Sequence, residues 1–232
     1  EAGIERAIQG SIPISAQGNN PSNNSSYTAL VDAIQSSSFS LNGGNVIPKD
    51  EGTDVWFVNH NADGTPDYSS ALSPSFLNLY WGSRSEVCDT STAPAAIQAI
   101  VVSRNKATGV INSHRYAYDS CSSRRSGNNF TQADSGILDA TFGNRTAPQD
   151  DLAKSVTDIV FMRVIPIYKD AVIAVSACDH IQTAGTCTSL PSQGYIISST
   201  GTSGQANRKI TVFKGYPQTY LPYLSYGLFV AN

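Results

Sequence analysis

The chain has few charged side chains and few of the residues that usually carry out catalysis. Asp, Glu, Lys and Arg make up 14% of its 232 residues, and the formal net charge is -3; about a quarter charged is usual for a globular domain. A weakly acidic chain excludes a broad nucleic-acid-binding face. With 40% hydrophobic residues, it can still bury one substantial core. We therefore expect a globular domain with a surface of hydroxyl and amide groups.

Motifs that would indicate an enzyme are also lacking. The three histidines, His60, His114 and His180, fall on different predicted elements. No Gly-x-Ser-x-Gly turn, glycine-rich phosphate loop or dinucleotide fingerprint is present in the sequence. Arg124 and Arg125 form a local basic spot, which is more often a solvated loop than an anion site. The sequence predicts a non-enzymatic protein that needs no cofactor.

No stretch of the chain approaches the ~20 apolar residues that span a bilayer. The first residues nevertheless have a helical pattern of apolar side chains, and no N-cap residue precedes it. Gly10 and Pro13 are predicted to end this helix. This pattern predicts the last turns of a helix that begins upstream, as part of a signal, membrane anchor or assembly helix. Its residues are Glu1, Ala2, Gly3, Ile4, Glu5, Arg6, Ala7 and Ile8.

Four cysteines without a Cys-x-x-Cys pair favour disulfides over a zinc site. Cys178 and Cys187 flank a short loop that a local bridge could close, which leaves Cys88 to pair with Cys121. Four cysteines allow three connectivities, so the other two pairings stay open. Cys178, His180 and Cys187 could instead share a metal ion.

Strand patterns dominate the chain after residue 52. Several runs alternate apolar and polar residues with a period of two. Predicted strands cover Thr53–Val58, Phe76–Trp81, Ala96–Ser103, Val110–Tyr118, Asp158–Tyr168, Ala171–Ala177, Gly194–Ser199, Asn207–Phe213 and Tyr223–Ala231. Lys169-Asp170 and Gly201–Gly204 are predicted to be turns between strands.

The remaining segments are predicted to be helix or loop. Residues 1–10 would end the N-terminal helix, and residues 11–52 would form a polar loop region with a short helix at Tyr27–Ile34. A single β-rich domain would fill 53–232, with a surface insertion near 122–157. We expect an α+β, mainly β fold, with the N-terminal helix packed on an antiparallel sheet or sandwich.

A loop after the first predicted strand places oxygen-bearing side chains at alternate positions, as in calcium loops with an Asp-x-Asn-x-Asp-Gly pattern. The candidate ligands are Asn59, Asn61, Asp63, the Thr65 carbonyl and Asp67. Two carboxylates are few for calcium, and the alternative is a simple Asp-Gly turn between two strands. The aromatic C-terminus could similarly form a carbohydrate platform, although core packing is the simpler explanation; its residues are Tyr216, Tyr220, Tyr223, Tyr226 and Phe229.

Several blocks together resemble the PilX-type pilins of bacterial type IV pilus systems. The blocks are Glu1–Ala7, Leu79–Gly82 with Ala96–Val102, Arg115–Asp119 leading into Asn128–Phe130, and Gln193–Gly204 followed by Arg208–Val212. The initial helix and the late Ser-Thr-Gly-Thr hairpin carry most of the resemblance.

The resemblance implies a minor, tip or priming subunit of a type IV pilus or a related filament. Its missing N-terminal helix would anchor it in the cytoplasmic membrane before assembly. Afterwards that helix would pack against other pilins, because extraction leaves its apolar surface no other place to be buried. The globular domain would then be extracellular, on the cell-surface pilus, and would meet a tip adhesin or a surface.

A different class of function fits the same residues. A secreted β-sandwich adhesin, or a carbohydrate- or calcium-binding module, would use the Asn59–Asp67 loop or the C-terminal tyrosines.

Overall fold

A computed structural model describes residues 14–20, 25–34, 36–74, 76–135, 142–146, 156–178 and 188–217. This part of the chain is almost entirely β. Its strands are β1 (Ile14–Asn20), β2 (Ser25–Ala33), β3 (Ser38–Ser40), β4 (Thr53–Trp56), β5 (Asn59–His60), β6 (Pro66–Asp67), β7 (Phe76–Ser83), β8 (Ala96–Arg104), β9 (Ile111–Asp119), β10 (Thr131–Gln132), β11 (Asp134–Ser135), β12 (Phe142–Arg145), β13 (Ile159–Ile167), β14 (Ile173–Cys178), β15 (Gly194–Ser203) and β16 (Ala206–Gly215).

Helical structure within these residues is short. One α-helix, α1, covers Ser122–Asn128, and 3-10 turns cover Leu41–Gly44 and Tyr68–Ser70. The predicted α+β fold, with an N-terminal helix packed on a sheet, is therefore wrong: the fold is β-rich, with four sheets. The predicted assembly helix at residues 1–10 lies outside the described residues. No helix long and apolar enough to cross a membrane occurs among the residues described.

The short helix predicted at Tyr27–Ile34 is also wrong. Strand β2 occupies this segment and pairs with β1 on one side and β15 on the other. The apolar residues Leu30, Val31 and Ile34 have a helical spacing, but a run this short fits either periodicity, and backbone pairing decides between them. The predicted loop region therefore contains three strands, β1, β2 and β3.

The described residues divide into two compact units. Unit 1 consists of residues 14–34, Asn59–Asp67 and Ser192–Pro217, and unit 2 contains Ser36–Val58 and the described part of Tyr68–Pro191. The sequence predicted a single domain from residue 53 onwards. No boundary between unit 1 and unit 2 lies at residue 53.

Unit 1 contains a four-stranded antiparallel sheet in the order β1-β2-β15-β16, and the small β5-β6 hairpin. Ten consecutive residue pairs join β15 to β16, which makes this the longest hairpin of the described chain. The chain turns at Gly204, with a φ of 57°, so the turn lies at the end of the predicted Gly201–Gly204 segment.

Unit 2 contains two five-stranded sheets, in the orders β10-β9-β8-β13-β4 and β11-β12-β7-β14-β3. One core lies between them. The first sheet contributes Ile97, Ala99, Val101, Met162 and Val164, and the second contributes Leu77, Leu79, Trp81, Ile173 and Val175. The Trp81 indole N–H donates to the Ala95 carbonyl over 2.8 Å, so the largest core side chain keeps a hydrogen bond after burial.

The central strands of unit 2 are buried on both faces. All but the last residue of β8 and of β13 are buried, which explains why these strands are continuous apolar runs rather than alternating ones. Arg163 is a charged residue within the buried strand β13. Its guanidinium donates two hydrogen bonds, of 2.7 and 2.8 Å, to the carboxylate of Asp54 on the neighbouring strand β4.

A disulfide joins Cys88 to Cys121, as the sequence predicted. Beside it, the fully buried carboxylate of Asp119 accepts hydrogen bonds from the Cys121 amide, the Arg124 guanidinium and the Asn128 amide. These contacts hold α1 against the end of β9. The predicted surface insertion therefore contains a helix and strands that belong to both sheets of unit 2.

Candidate functional site

The register of the unit 1 sheet places a group of chemically varied residues on one face. Tyr195 pairs with Lys214, and Ile197 pairs with both Val31 and Val212. Because directly paired residues of antiparallel strands point to the same side, these side chains share one face of the sheet. We call it the pocket face. Lys209 is separated from Lys214 by an odd number of positions along β16, so its side chain lies on the opposite face of the sheet.

A cavity of about 250 Å³ lies at one end of the pocket face, and we call it the tyrosine pocket. It is lined by Val31, Ala62, Asp63, Gly64, Tyr195, Ile197, Lys214, Gly215, Tyr216 and Pro217. The sheet supplies aliphatic side chains, two tyrosines and one lysine. The loop between β5 and β6 supplies backbone and one carboxylate. Three separate segments of the chain thus build a single concave site.

Strand β5 supports this pocket through a stacked pair of rings. The His60 imidazole lies parallel to the Tyr216 ring, with centroids 3.6 Å apart and an interplanar angle of 10°. Burial lowers the pKa of His60 to about 4, so the stacked imidazole is neutral at neutral pH. The His60 ring therefore fixes the orientation of Tyr216 without introducing a charge.

The two tyrosines of the pocket contact each other edge to face. The centroids of Tyr195 and Tyr216 are 6.1 Å apart, and the Tyr216 hydroxyl donates to the Tyr195 hydroxyl over 3.4 Å. Burial, followed by this hydrogen bond, raises the pKa of Tyr216 to about 12. Both the Tyr216 phenol and the His60 imidazole thus keep one protonation state across neutral pH. Such groups orient and hydrogen-bond a ligand better than they transfer protons.

The β5-β6 loop is held by its own hydrogen bonds. One oxygen of the Asp63 carboxylate accepts from the Thr65 amide over 2.9 Å and from the Thr65 hydroxyl over 2.6 Å. These two bonds lower the pKa of the exposed Asp63 carboxyl. The Asn61 side-chain amide donates to the Thr65 hydroxyl over 3.1 Å, and Gly64 supplies the positive φ of 83° that the bend requires.

This geometry is that of a tight hairpin loop. Asn59 pairs with Asp67 across the hairpin, and the Thr65 carbonyl accepts from the Asn61 amide over 2.8 Å. The described part of the chain holds no cluster of three His, Cys, Asp or Glu side chains placed to bind a metal ion. The calcium site at Asn59, Asn61, Asp63, Thr65 and Asp67 stays a prediction.

A second, more open hollow of about 530 Å³ lies at the other end of the unit 1 sheet. Tyr27, the end of β15 at Gly201–Ser203 and Arg208 are among its lining residues. Tyr27 is 50% exposed there. The hollow has no stacked or buried polar group to match those of the tyrosine pocket, so we regard the tyrosine pocket as the candidate site.

Among the described residues, Arg124 and Arg125 do not line this pocket. They lie on α1 and bind Asp119 and neighbouring carbonyls in unit 2, so they make structural contacts instead of forming the expected solvated loop. The 179–187 loop lies outside the described residues, so the Cys178–Cys187 bridge and a metal site shared with His180 stay predictions. Of the C-terminal aromatic residues, Tyr216 is described; Tyr220, Tyr223, Tyr226 and Phe229 lie outside the described residues.

Sequence analysis missed Tyr195 and Lys214 as site residues, and did not link His60 to Tyr216. Both Tyr195 and Lys214 sit in ordinary alternating strands, where nothing local marks them. The available signal was the hairpin itself: had β15 and β16 been paired in register, Tyr195 and Lys214 would have been neighbours on one face.

Comparison with known proteins gives no relative from which a function could be transferred. No family model, curated protein or solved structure matches the chain.

Proposed function

We propose that this chain is a non-enzymatic binding domain on the bacterial cell surface, carried as a minor or tip subunit of a type IV pilin-like filament. The filament part of the proposal rests on the sequence blocks that resemble PilX-type pilins. The binding part rests on the tyrosine pocket. The pocket is the observation that carries the proposal, because it is concave, aromatic and built from residues with fixed protonation states.

Binding fits the chemistry of the pocket better than catalysis does. A general acid or base works best with a pKa near the working pH. The pKa of His60 is about 4 and that of Tyr216 about 12, so both are far from neutrality. Their ring stack and hydroxyl contact instead give the pocket a rigid wall, which lowers the ordering cost of binding a ligand.

In this proposal the partners are other pilins, bound through the N-terminal helix, with Ile4 and Ile8 on its apolar side. Before assembly the same helix would hold the subunit in the membrane. The test is mass-spectrometric N-terminal sequencing of the native protein from sheared surface filaments. A mature terminus about 20 or more apolar residues upstream of Glu1 would support the proposal. Absence of the protein from the filament fraction would contradict it.

The second candidate is a secreted carbohydrate- or calcium-binding module that works without a filament. The tyrosine pocket also favours it, because the pocket unites the Asn59–Asp67 loop with one of the C-terminal tyrosines. The two candidates differ in where the native protein is found. Recovery as a free protein in the medium, with a terminus close to Glu1, would favour the secreted module.

A further inference from the structure

We infer that the tyrosine pocket binds one neutral hexopyranose unit of a surface glycan. This inference rests on the proposed binding function and names its ligand class. Two features of the pocket support it: a small cavity with aromatic and aliphatic walls, and a rim that carries one cation and one anion.

The size of the cavity limits the ligand to about one ring. Its volume of about 250 Å³ lies below the 300–1,000 Å³ that is usual for sites of drug-sized ligands. An extended peptide or lipid chain would have to leave most of its length outside. A single six-membered sugar ring at the end of a glycan can enter while the rest of the glycan remains in solvent.

The apolar walls of the pocket suit the C–H groups of a pyranose ring. The rings of Tyr195 and Tyr216 offer rigid aromatic surface, and Val31 and Ile197 add aliphatic surface on the sheet. A pyranose presents patches of C–H groups that can pack on such surfaces, while its hydroxyls point outward around the ring edge. Tyrosine suits this role because it joins an apolar body to a polar tip.

The polar groups around the pocket both donate and accept hydrogen bonds. The Lys214 ammonium can only donate, the Asp63 carboxylate can only accept, and the tyrosine hydroxyls can do both. Sugar hydroxyls also do both, so a ring with several hydroxyls can satisfy all these groups together. An apolar or aromatic ligand would form hydrogen bonds with few or none of these groups.

The charges of the pocket favour a neutral ligand. Among its lining residues, Lys214 is the one cation and Asp63 the one anion, so the lining carries no net charge. A uronic acid would gain from Lys214 but would be repelled by Asp63, and an amino sugar would have the opposite balance. A neutral hexose avoids both penalties.

The test is ligand-observed saturation-transfer NMR on the whole 232-residue chain, with methyl glycosides of glucose, galactose and mannose as probes. Methyl glucuronide, methyl glucosaminide and N-acetyltyrosine amide serve as the competing probes. We expect at least one neutral glycoside to bind with a Kd of about 1 mM, which is about 4 kcal/mol of binding free energy. Its affinity should change little between low and moderate salt.

Two variants of pocket residues and one control on β16 separate binding in the pocket from general surface effects. Lys214→Gln and Asp63→Asn should each weaken the neutral glycoside about tenfold, since each removes one charge-assisted hydrogen bond. Lys209→Gln is the matched control: it removes the same charge from β16, but on the face away from the pocket, and should leave affinity unchanged. Circular dichroism checks that all three variants keep the wild-type fold.

The outcomes separate the ligand class from the proposed function. Tighter binding of the glucuronide or glucosaminide than of every neutral glycoside would overturn the neutral class. Binding of N-acetyltyrosine amide alone would overturn the sugar assignment but leave a binding function. If none of the six probes binds, both the sugar assignment and the pocket's part in binding are overturned. Equal losses from Lys209→Gln and Lys214→Gln would show that the glycoside binds elsewhere.

Discussion

Acidification should destabilise unit 1 through the imidazole of His60. Burial against Tyr216 lowers the pKa of His60 from 6.5 to about 4 in the folded chain. Between these two values the unfolded chain binds more protons than the folded one. The free energy of unfolding therefore falls as the pH is lowered from about 6.5 towards 4, and the stabilisation is complete above 6.5.

The size of the effect follows from the same pKa difference. A pKa of about 4 instead of 6.5 corresponds to at most about 3.4 kcal/mol, at 1.36 kcal/mol for each pKa unit. Because the ring is only half-buried, water reduces this penalty, and we expect about 1–2 kcal/mol. The other groups of the pocket with a shifted pKa do not titrate between pH 4 and 6.5. Hydrogen bonds from Thr65 lower the pKa of Asp63 below its usual value, and the pKa of Tyr216 is about 12.

The assay is urea unfolding at pH 7 and at pH 4.5, followed by circular dichroism. His60→Phe keeps a ring that can stack on Tyr216 but cannot take up a proton. The wild type should lose about 1–2 kcal/mol more than His60→Phe over this pH range. His114→Phe, which makes the same change on β9 of unit 2, is the matched control for replacing a histidine by phenylalanine. The reasoning is refuted if His60 titrates near 6.5 by NMR in the folded protein, or if His60→Phe and wild type respond alike to pH.

Three further outcomes are expected. Replacing both Cys88 and Cys121 by Ala should lower the free energy of unfolding by about 3–4 kcal/mol in denaturant melts, since the bridge closes a 33-residue loop in the unfolded chain; a loss below 1 kcal/mol would contradict this. Gly194→Ala should prevent normal closure of the β15-β16 hairpin, because φ is +140° and a Cβ would clash with the Lys214 carbonyl oxygen. Gly201→Ala, whose Cβ would meet no atom within 4 Å beyond its chain neighbours, should be tolerated. Millimolar calcium should leave the melting temperature within about 1 °C of the value in chelator, since one Asp63 carboxylate oxygen and the Thr65 carbonyl already accept hydrogen bonds within the loop; a rise of several degrees would support the calcium site.

The long central strands of unit 2 could be predicted because they bury side chains in a core, whereas the short strands β3, β10, β11 and β12 lie in segments predicted to be loop or insertion. Strands β8 and β13 are apolar runs bounded by turn residues, and the sequence alone marks both within one residue of their observed ends. The Cys88–Cys121 bridge followed from cysteine spacing. Burial gives a strand an apolar composition, and that composition can be recognised without knowing which strand it pairs with.

Strand β1 could not be predicted for the opposite reason. Its segment Gln17–Asn20 is polar and contains glycine, so it has the composition of a loop. Only its backbone pairing with β2 makes it a strand. The tyrosine pocket could not be predicted either, because Asp63 and Lys214 are far apart in sequence and both line the pocket only through tertiary packing of the β5-β6 hairpin, which no local window contains.

The chain order of unit 1 has a consequence for biosynthesis. Strand β2 pairs with β15, as in the contact between Ala33 and Tyr195, so about 160 residues must be translated between the two halves of one sheet. All of the described part of unit 2 is encoded between them. The described core of unit 2, whose last residue is Leu190, therefore precedes the last wall of the pocket, at Tyr216, along the chain. A chain that stopped between these two residues would contain every described core residue of unit 2 but would lack the tyrosine that closes the binding site.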